Sequence, residues 1–216
     1  MKRFMVIVMF AAATMIGGCS NTTNHATGVY MLMDTSGTYA QELAKAKAII
    51  NFLLGTLQPG DSLAVARIDS GSFSEKDIIQ KATFHTRPST ANQQKRLFEQ
   101  NLKKFVASVR GSAHTDITGG VLQAVEYLNE TGAGKKYIFI FSDLEEDLVK
   151  GHVRDIPIRF DGFNVVALNV TKLRSENVDP RGYLDRLEMW QQRVEAGGGR
   201  WKVINDLERL ERMMDN

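Results

Sequence analysis

Two apolar pentads, Val29-Tyr30-Met31-Leu32-Met33 and Tyr137-Ile138-Phe139-Ile140-Phe141, each stop abruptly at a polar group: Asp34-Thr35-Ser36-Gly37 after the first, Ser142-Asp143 after the second. A run with no polar face makes a strand that must be covered on both sides, which is the condition of a parallel sheet packed between helices. The intervening segments carry the matching helical period. Ala40, Leu43, Ala46, Ile50, Leu53 and Leu57 recur at three- and four-residue steps until Pro59-Gly60 stops the pattern, so a helix is expected over Thr38 to Leu57.

The same grammar continues along the chain. Ser62 to Ile68 reads as a strand, Asp77 to Phe84 as an edge strand, and Ala91 to Val109 as a helix with Phe98, Leu102, Phe105 and Val109 on one face. Lys95, Arg96, Lys103 and Lys104 fall elsewhere on that helix and read as its solvated surface. Thr115 to Gly120 turns into a helix through Val121, Leu122, Val125 and Leu128, and the second pentad follows. Phe163 to Val170 is a strand, Asp179 to Glu195 a helix, Arg200 to Ile204 a last strand and Leu207 to Met214 a closing helix. Strands alternating with helices of these lengths predict an α/β fold: a doubly wound, mostly parallel sheet with one antiparallel edge strand and helices on both faces.

The amino terminus has a different character. Met1-Lys2-Arg3 is a short positive stretch, Phe4 to Ile16 is apolar over 13 residues, and Gly17-Gly18 supplies the small residues of a cleavage position. That is the pattern of a signal peptide, and it is too short for an ordinary spanning helix, which takes roughly 20 apolar residues. Cys19, the one cysteine in 216 residues, stands directly after it. Ile16-Gly17-Gly18-Cys19 resembles the bacterial lipobox, although Leu is commoner where Ile16 stands. The resemblance implies cleavage before a lipidated Cys19, and Ser20 in place of Asp favours the outer over the inner membrane. The expected organisation is a leader over 1–18, a polar tether over 19–27 and one domain over 28–216, a length that suits a single core.

Charge narrows the partner. Lys and Arg total 27 against 25 Asp and Glu, and loss of Lys2 and Arg3 with a leader leaves the balance even. With no dense basic run, nucleic acid is not expected as the partner.

In a doubly wound sheet ligands collect at the carboxyl ends of the strands. Three polar clusters are expected at that edge: Asp34 to Thr38, Thr115 to Asp116, and Ser142 to Asp147. Their donors are oxygens. Mg²⁺ takes six oxygens and keeps several waters, so a few protein ligands suffice, and Asp34 with Asp143 balances a divalent charge. His25, His85, His114 and His152 show no paired spacing, which argues against zinc. Each cluster taken singly also fits a local role, since Asp34, Ser36, Thr115 and Asp116 are all residue types that cap helices or close turns.

The run Asp34-x-Ser36-x-Thr38 resembles the DxSxS/T signature of the metal-ion-dependent adhesion site of von Willebrand factor A domains. Gly111-Ser112-Ala113-His114-Thr115-Asp116-Ile117 is similar to its threonine loop, and Ile140-Phe141-Ser142-Asp143 to its strand-end aspartate. The resemblance extends in element order from Val29 to Met214. It implies a site for Mg²⁺, or for Mn²⁺ or Ca²⁺, made by Asp34, Ser36, Thr38, Thr115 and Asp143. Ser36 and Thr38 would bind directly, Thr115 directly or through water, and the two aspartates largely through water. It also implies an open coordination position that a carboxylate of an envelope protein partner fills, which is binding without catalysis.

The family usually has Gly after the strand-end Asp, whereas this chain has Leu144-Glu145-Glu146-Asp147. Asp116, Glu145 and Glu146 are candidate rim residues, with a solvated acidic loop opening a helix as the alternative for Glu145 to Asp147. Two other functions fit the same residues less fully. A metal-independent scaffold would use other surfaces of the fold. A phosphotransferase of the haloacid-dehalogenase type would use Asp34 as nucleophile, but it usually carries a second Asp where Ser36 stands.

Overall fold

The computed structural model describes residues 24–36, 42–109, 111–171 and 181–214. Six strands form one sheet in the order β3-β2-β1-β4-β5-β6, with β1 at Thr27–Asp34, β2 at Ser62–Ile68, β3 at Ile78–Thr83, β4 at Lys135–Phe141, β5 at Phe163–Leu168 and β6 at Arg200–Ile204. All neighbouring pairs are parallel except β2 with β3, so the antiparallel strand is the edge strand that the sequence predicts.

Alternation along each strand sends side chains to two separate cores. Val29, Met31 and Met33 of β1 pack with Ala46, Ile50 and Leu53 of α1 (Leu43–Thr56), Phe98 and Leu102 of α2 (Pro88–Ser108) and Leu210 of α5 (Leu207–Met214). Tyr30 and Leu32 face the other way, onto Ile117, Val121, Ala124 and Leu128 of α3 (Ile117–Glu130) and, further along, Trp190 and Val194 of α4 (Arg181–Ala196). Both faces of β1 are therefore buried, with Val29 to Met33 at most 1% exposed. Burying each such side chain contributes about 1.5–3 kcal/mol.

Close approach of α3 to β1 depends on Gly120, and the cap of α3 on Gly119. A Cβ on Gly120 would lie 2.7 Å from Leu32 Cδ2, and one on Gly119 would collide with the Asp116 carboxylate. The glycines thus seat the start of α3 against the carboxyl end of the sheet.

Several boundaries differ from the sequence reading, each for a local reason. Helix α2 begins earlier, with Pro88 in its first turn, where a missing N–H costs nothing. Strand β5 stops at Leu168 because Asn169 adopts φ 54°, outside the extended region. The expected starts at Thr38 and Asp179 fall outside the described residues, and the described helices run Leu43–Thr56 and Arg181–Ala196. No helix follows Glu145 to Asp147, because that stretch is held extended by a bridge between Asp147 and Thr115. The last residues of the expected tether are part of the body: Asn24 Nδ2 donates to Gly132 O at 2.8 Å, and Thr27 opens β1.

Candidate metal site at the carboxyl edge

From β1 the chain crosses to β2 on one side, and from β4 it crosses to β5 on the other, while β1 and β4 lie side by side. The crossovers diverge there and leave a crevice at the carboxyl ends of these two strands. Asp34 ends β1, and Ser142-Asp143 follows β4 directly.

Three stretches distant in sequence meet at this point. Ser142 Oγ donates to Asp34 Oδ2 at 2.7 Å, and Ser36 N donates to Asp34 Oδ1 at 2.8 Å. Ser112 N donates to Thr35 O at 2.9 Å, which sets Ser36 beside Ser112 in a parallel bridge. Thr115 and Asp147 exchange two backbone bonds, Thr115 N to Asp147 O at 2.8 Å and Asp147 N to Thr115 O at 3.0 Å. The structure thus brings the loops of Asp34, Ser36, Thr115 and Asp143 to one edge. Thr38 and Cys19 lie outside the described residues.

Both carboxylates are buried, Asp34 at 1% and Asp143 at 6% exposure. Asp143 Oδ1 accepts from Glu145 N at 3.0 Å, and Arg186 Nε donates to the Asp143 carbonyl at 3.1 Å rather than to its carboxylate. Burial first, and then the nearby negative charge of Asp34, push the Asp143 carboxyl up to about 6. Among the described residues no lysine or arginine donates a hydrogen bond to either carboxylate.

Two buried carboxylates at adjacent strand ends, with hydroxyls around them, fit a hard divalent cation and do not fit a soft one. Among the described residues no three His, Cys, Asp or Glu side chains group around one metal position, so such an ion would depend on hydroxyl and water oxygens.

Leu144 occupies the position after the strand-end aspartate with φ 66°, and its side chain is fully buried with Ile117, Ile140 and Trp190. A leucine in the left-handed region is strained by about 1–2 kcal/mol, and burial of the side chain offsets that strain.

The three candidate rim residues separate. Glu145 is exposed. Glu146 turns inward, accepting from Thr118 N at 2.6 Å at the start of α3 and lying 3.9 Å from Arg193. Asp116 is not at an open rim at all: it is 2% exposed and caps α3 by accepting from Gly119 N at 2.8 Å. Arg154 grips Asp116 through Nε and through a second nitrogen at 2.6 Å. Burial raises the Asp116 carboxyl, but hydrogen bonds from Arg154 and from the amides of Gly119 and Ser72 outweigh it and hold it below the ordinary carboxylate range.

Sequence reasoning did not single out Asp69, Arg154 or Arg193, and it quoted Ser112 within the threonine loop without a role of its own. Asp69 follows β2 and accepts from Ser112 Oγ at 2.7 Å, so it ties the second strand end to the threonine loop. A signal was present, because Asp69-Ser70 ends an apolar strand with an aspartate and a hydroxyl as Asp34-Thr35 does. Arg193 donates to Thr118 Oγ1 at 2.6 Å and to Arg154 O at 3.2 Å. Nothing in the local sequence marks either arginine, since their partners are 38 to 75 residues away.

A doubly wound α/β domain with an oxygen-lined crevice at its central switch point is the class that fold and site define. No family model matches the sequence, and no curated protein matches it. Solved structures do. A von Willebrand factor type A protein from Catenulispora acidiphila covers 88% of this chain and 41% of its own, at 13% identity and a TM-score of 0.53. The pilus adhesin SpaC from Lactobacillus rhamnosus GG, in an open conformation, covers 88% of this chain and 29% of its own, at 12% identity and a TM-score of 0.53. The chain has the von Willebrand factor A fold, and it spans less than half the length of either of these proteins.

Proposed function

We propose that the protein is a lipid-anchored module of the cell envelope that binds a protein partner through a divalent cation. The observation that carries this reading is the pair of buried carboxylates, Asp34 and Asp143, at adjacent strand ends in the switch-point crevice. The cation would be held by Asp34, Ser36, Thr38, Thr115 and Asp143, and Mg²⁺ suits these donors, with Mn²⁺ or Ca²⁺ as substitutes. When bound, it would supply a positive centre that a carboxylate of the partner can approach. The chain's own part is to hold the oxygens: Ser142 fixes Asp34, the Thr115–Asp147 pairing fixes the threonine loop, and Leu144 anchors the turn beyond Asp143.

Anchoring through Cys19 is read from the leader and the cysteine's position, and the outer membrane is the favoured site because Ser20 follows it. Among the described residues no helix is long and apolar enough to cross a membrane. An aspartyl nucleophile fits less well. Ser36 stands where such an enzyme usually carries its second, acid–base Asp, which leaves an Asp34 nucleophile without that partner.

Calorimetric titration of Mg²⁺ and Mn²⁺, with thermal unfolding alongside, tests the metal reading. Binding heat and a raised Tm are expected for the parent and neither for Asp34→Ala. Equal behaviour of parent and variant would leave a metal-independent scaffold as the better reading.

A further inference from the structure

The described chain joins the body at the amino edge of the sheet, at the end remote from the carboxylates. Gly134 N donates to Ala26 O at 3.0 Å and Thr27 N to Asp61 Oδ1 at 2.7 Å, beside the start of β4. Thr27 and Asp34 are the two ends of β1, seven steps or roughly 23 Å apart at strand rise.

Cations border that exit, all exposed except the half-buried Lys136. Lys135 is paired in register with Thr27, Lys136 is next to it, Arg200 opens β6, Arg159 lies in the loop before β5, and Arg87 precedes α2. Asp61, Glu130, Asp161 and Glu195 are the acids among them; Asp61 is buried against Thr27 N, and Asp161 is already paired with Arg159 at 3.3 Å. The opposite edge carries more acids, with Asp34, Asp69, Asp143, Glu145 and Asp147 around the crevice, of which Asp69 is paired with Arg67 at 2.9 Å and Asp147 contacts His114 at 3.0 Å. Charge is therefore distributed along the strand axis although the chain as a whole is nearly neutral.

We infer that the amino edge rests on an anionic lipid surface and that the carboxyl edge is turned away from it. The inference depends on the reading that Cys19 carries the lipid. Asn24 is only five positions after Cys19, a reach of roughly 17 Å when fully extended, so the tether holds this edge close to the bilayer. Each cation near an anionic surface strengthens association about five-fold, and the acids of the other edge are repelled. Tether and field favour the same orientation, which leaves the crevice open to a partner in the aqueous compartment.

The test uses the full chain, acylated in a bacterial host and reconstituted into vesicles of phosphatidylcholine with or without phosphatidylglycerol. Cys19 is the one native cysteine, so a fluorophore can be placed on E130C at the amino edge or on E145C at the carboxyl edge. Brominated lipid is expected to quench the label at 130 several-fold more than the label at 145. The difference should grow with phosphatidylglycerol and lose that growth when Lys135, Lys136, Arg159 and Arg200 are replaced by Glu. An acylated chain with equal quenching at the two positions, or with no response to anionic lipid, overturns the orientation alone. A chain recovered unacylated and apart from the vesicles overturns the anchoring reading and the orientation with it.

Discussion

Ser142 Oγ donates to Asp34 Oδ2 across 2.7 Å and so joins the ends of two strands whose residues are 108 positions apart. The same hydroxyl oxygen accepts from Leu144 N at 3.0 Å, so one side chain positions a carboxylate on β1 and the turn that carries Asp143. Replacement of Ser142 by Ala leaves a buried carboxylate oxygen without its donor. A loss of about 2 kcal/mol in urea denaturation is expected, together with weaker Mg²⁺ binding.

Asp143 sets a conflict between stability and binding. Its folded value of about 6 lies above the ordinary 3.8, so the folded state keeps a proton that the unfolded chain has already released. The penalty of ionisation is absent below about pH 4, develops between there and 6, and is full above 6. Asp143→Asn removes it. The variant is expected to be more stable than the metal-free parent at pH 7 by about 1–3 kcal/mol, to match it near pH 4, and to show no response to Mg²⁺. In the parent, Mg²⁺ affinity should fall as pH drops through 6, because the proton competes for the same oxygens. Denaturation curves at pH 4 and 7 and a calorimetric pH series read both effects.

Arg154 holds the helix cap beneath the threonine loop. Asp116 is 2% exposed, and loss of the guanidinium leaves it buried and unpaired. Arg154→Ala is expected to cost about 3 kcal/mol or more. In an Asp116→Asn background the same change should cost much less, and a double-mutant cycle measures the difference.

Leu144 makes the usual order of truncations reverse. Alanine keeps the left-handed strain and loses the buried side chain, whereas glycine loses the side chain but also relieves the strain. Leu144→Ala should therefore be less stable than Leu144→Gly, by about 1 kcal/mol in thermal or urea unfolding.

The order of strands and helices was legible in the chain because it rests on local periodicity. Val29 to Met33 and Tyr137 to Phe141 have no polar face, and α1 and α2 show their stripes openly, so alternation alone predicts a sheet covered on both sides. The strand-end aspartates were legible for the same reason: Asp34 and Asp143 interrupt apolar runs.

Partnership was not legible in the chain. Asp116 reads as a possible rim acid or as a cap of the following helix; it is the cap, but Arg154, brought onto it by the fold from 38 residues away, carries no local signal. Glu146 looks like the start of a helix until it caps a different one at Thr118. Periodicity reports which side of an element is buried, since that depends on neighbours three or four residues away. Which charge meets which depends on how loops cross the sheet edge, and only the tertiary structure decided that Asp116 is a buried brace while Asp34 and Asp143 share the crevice.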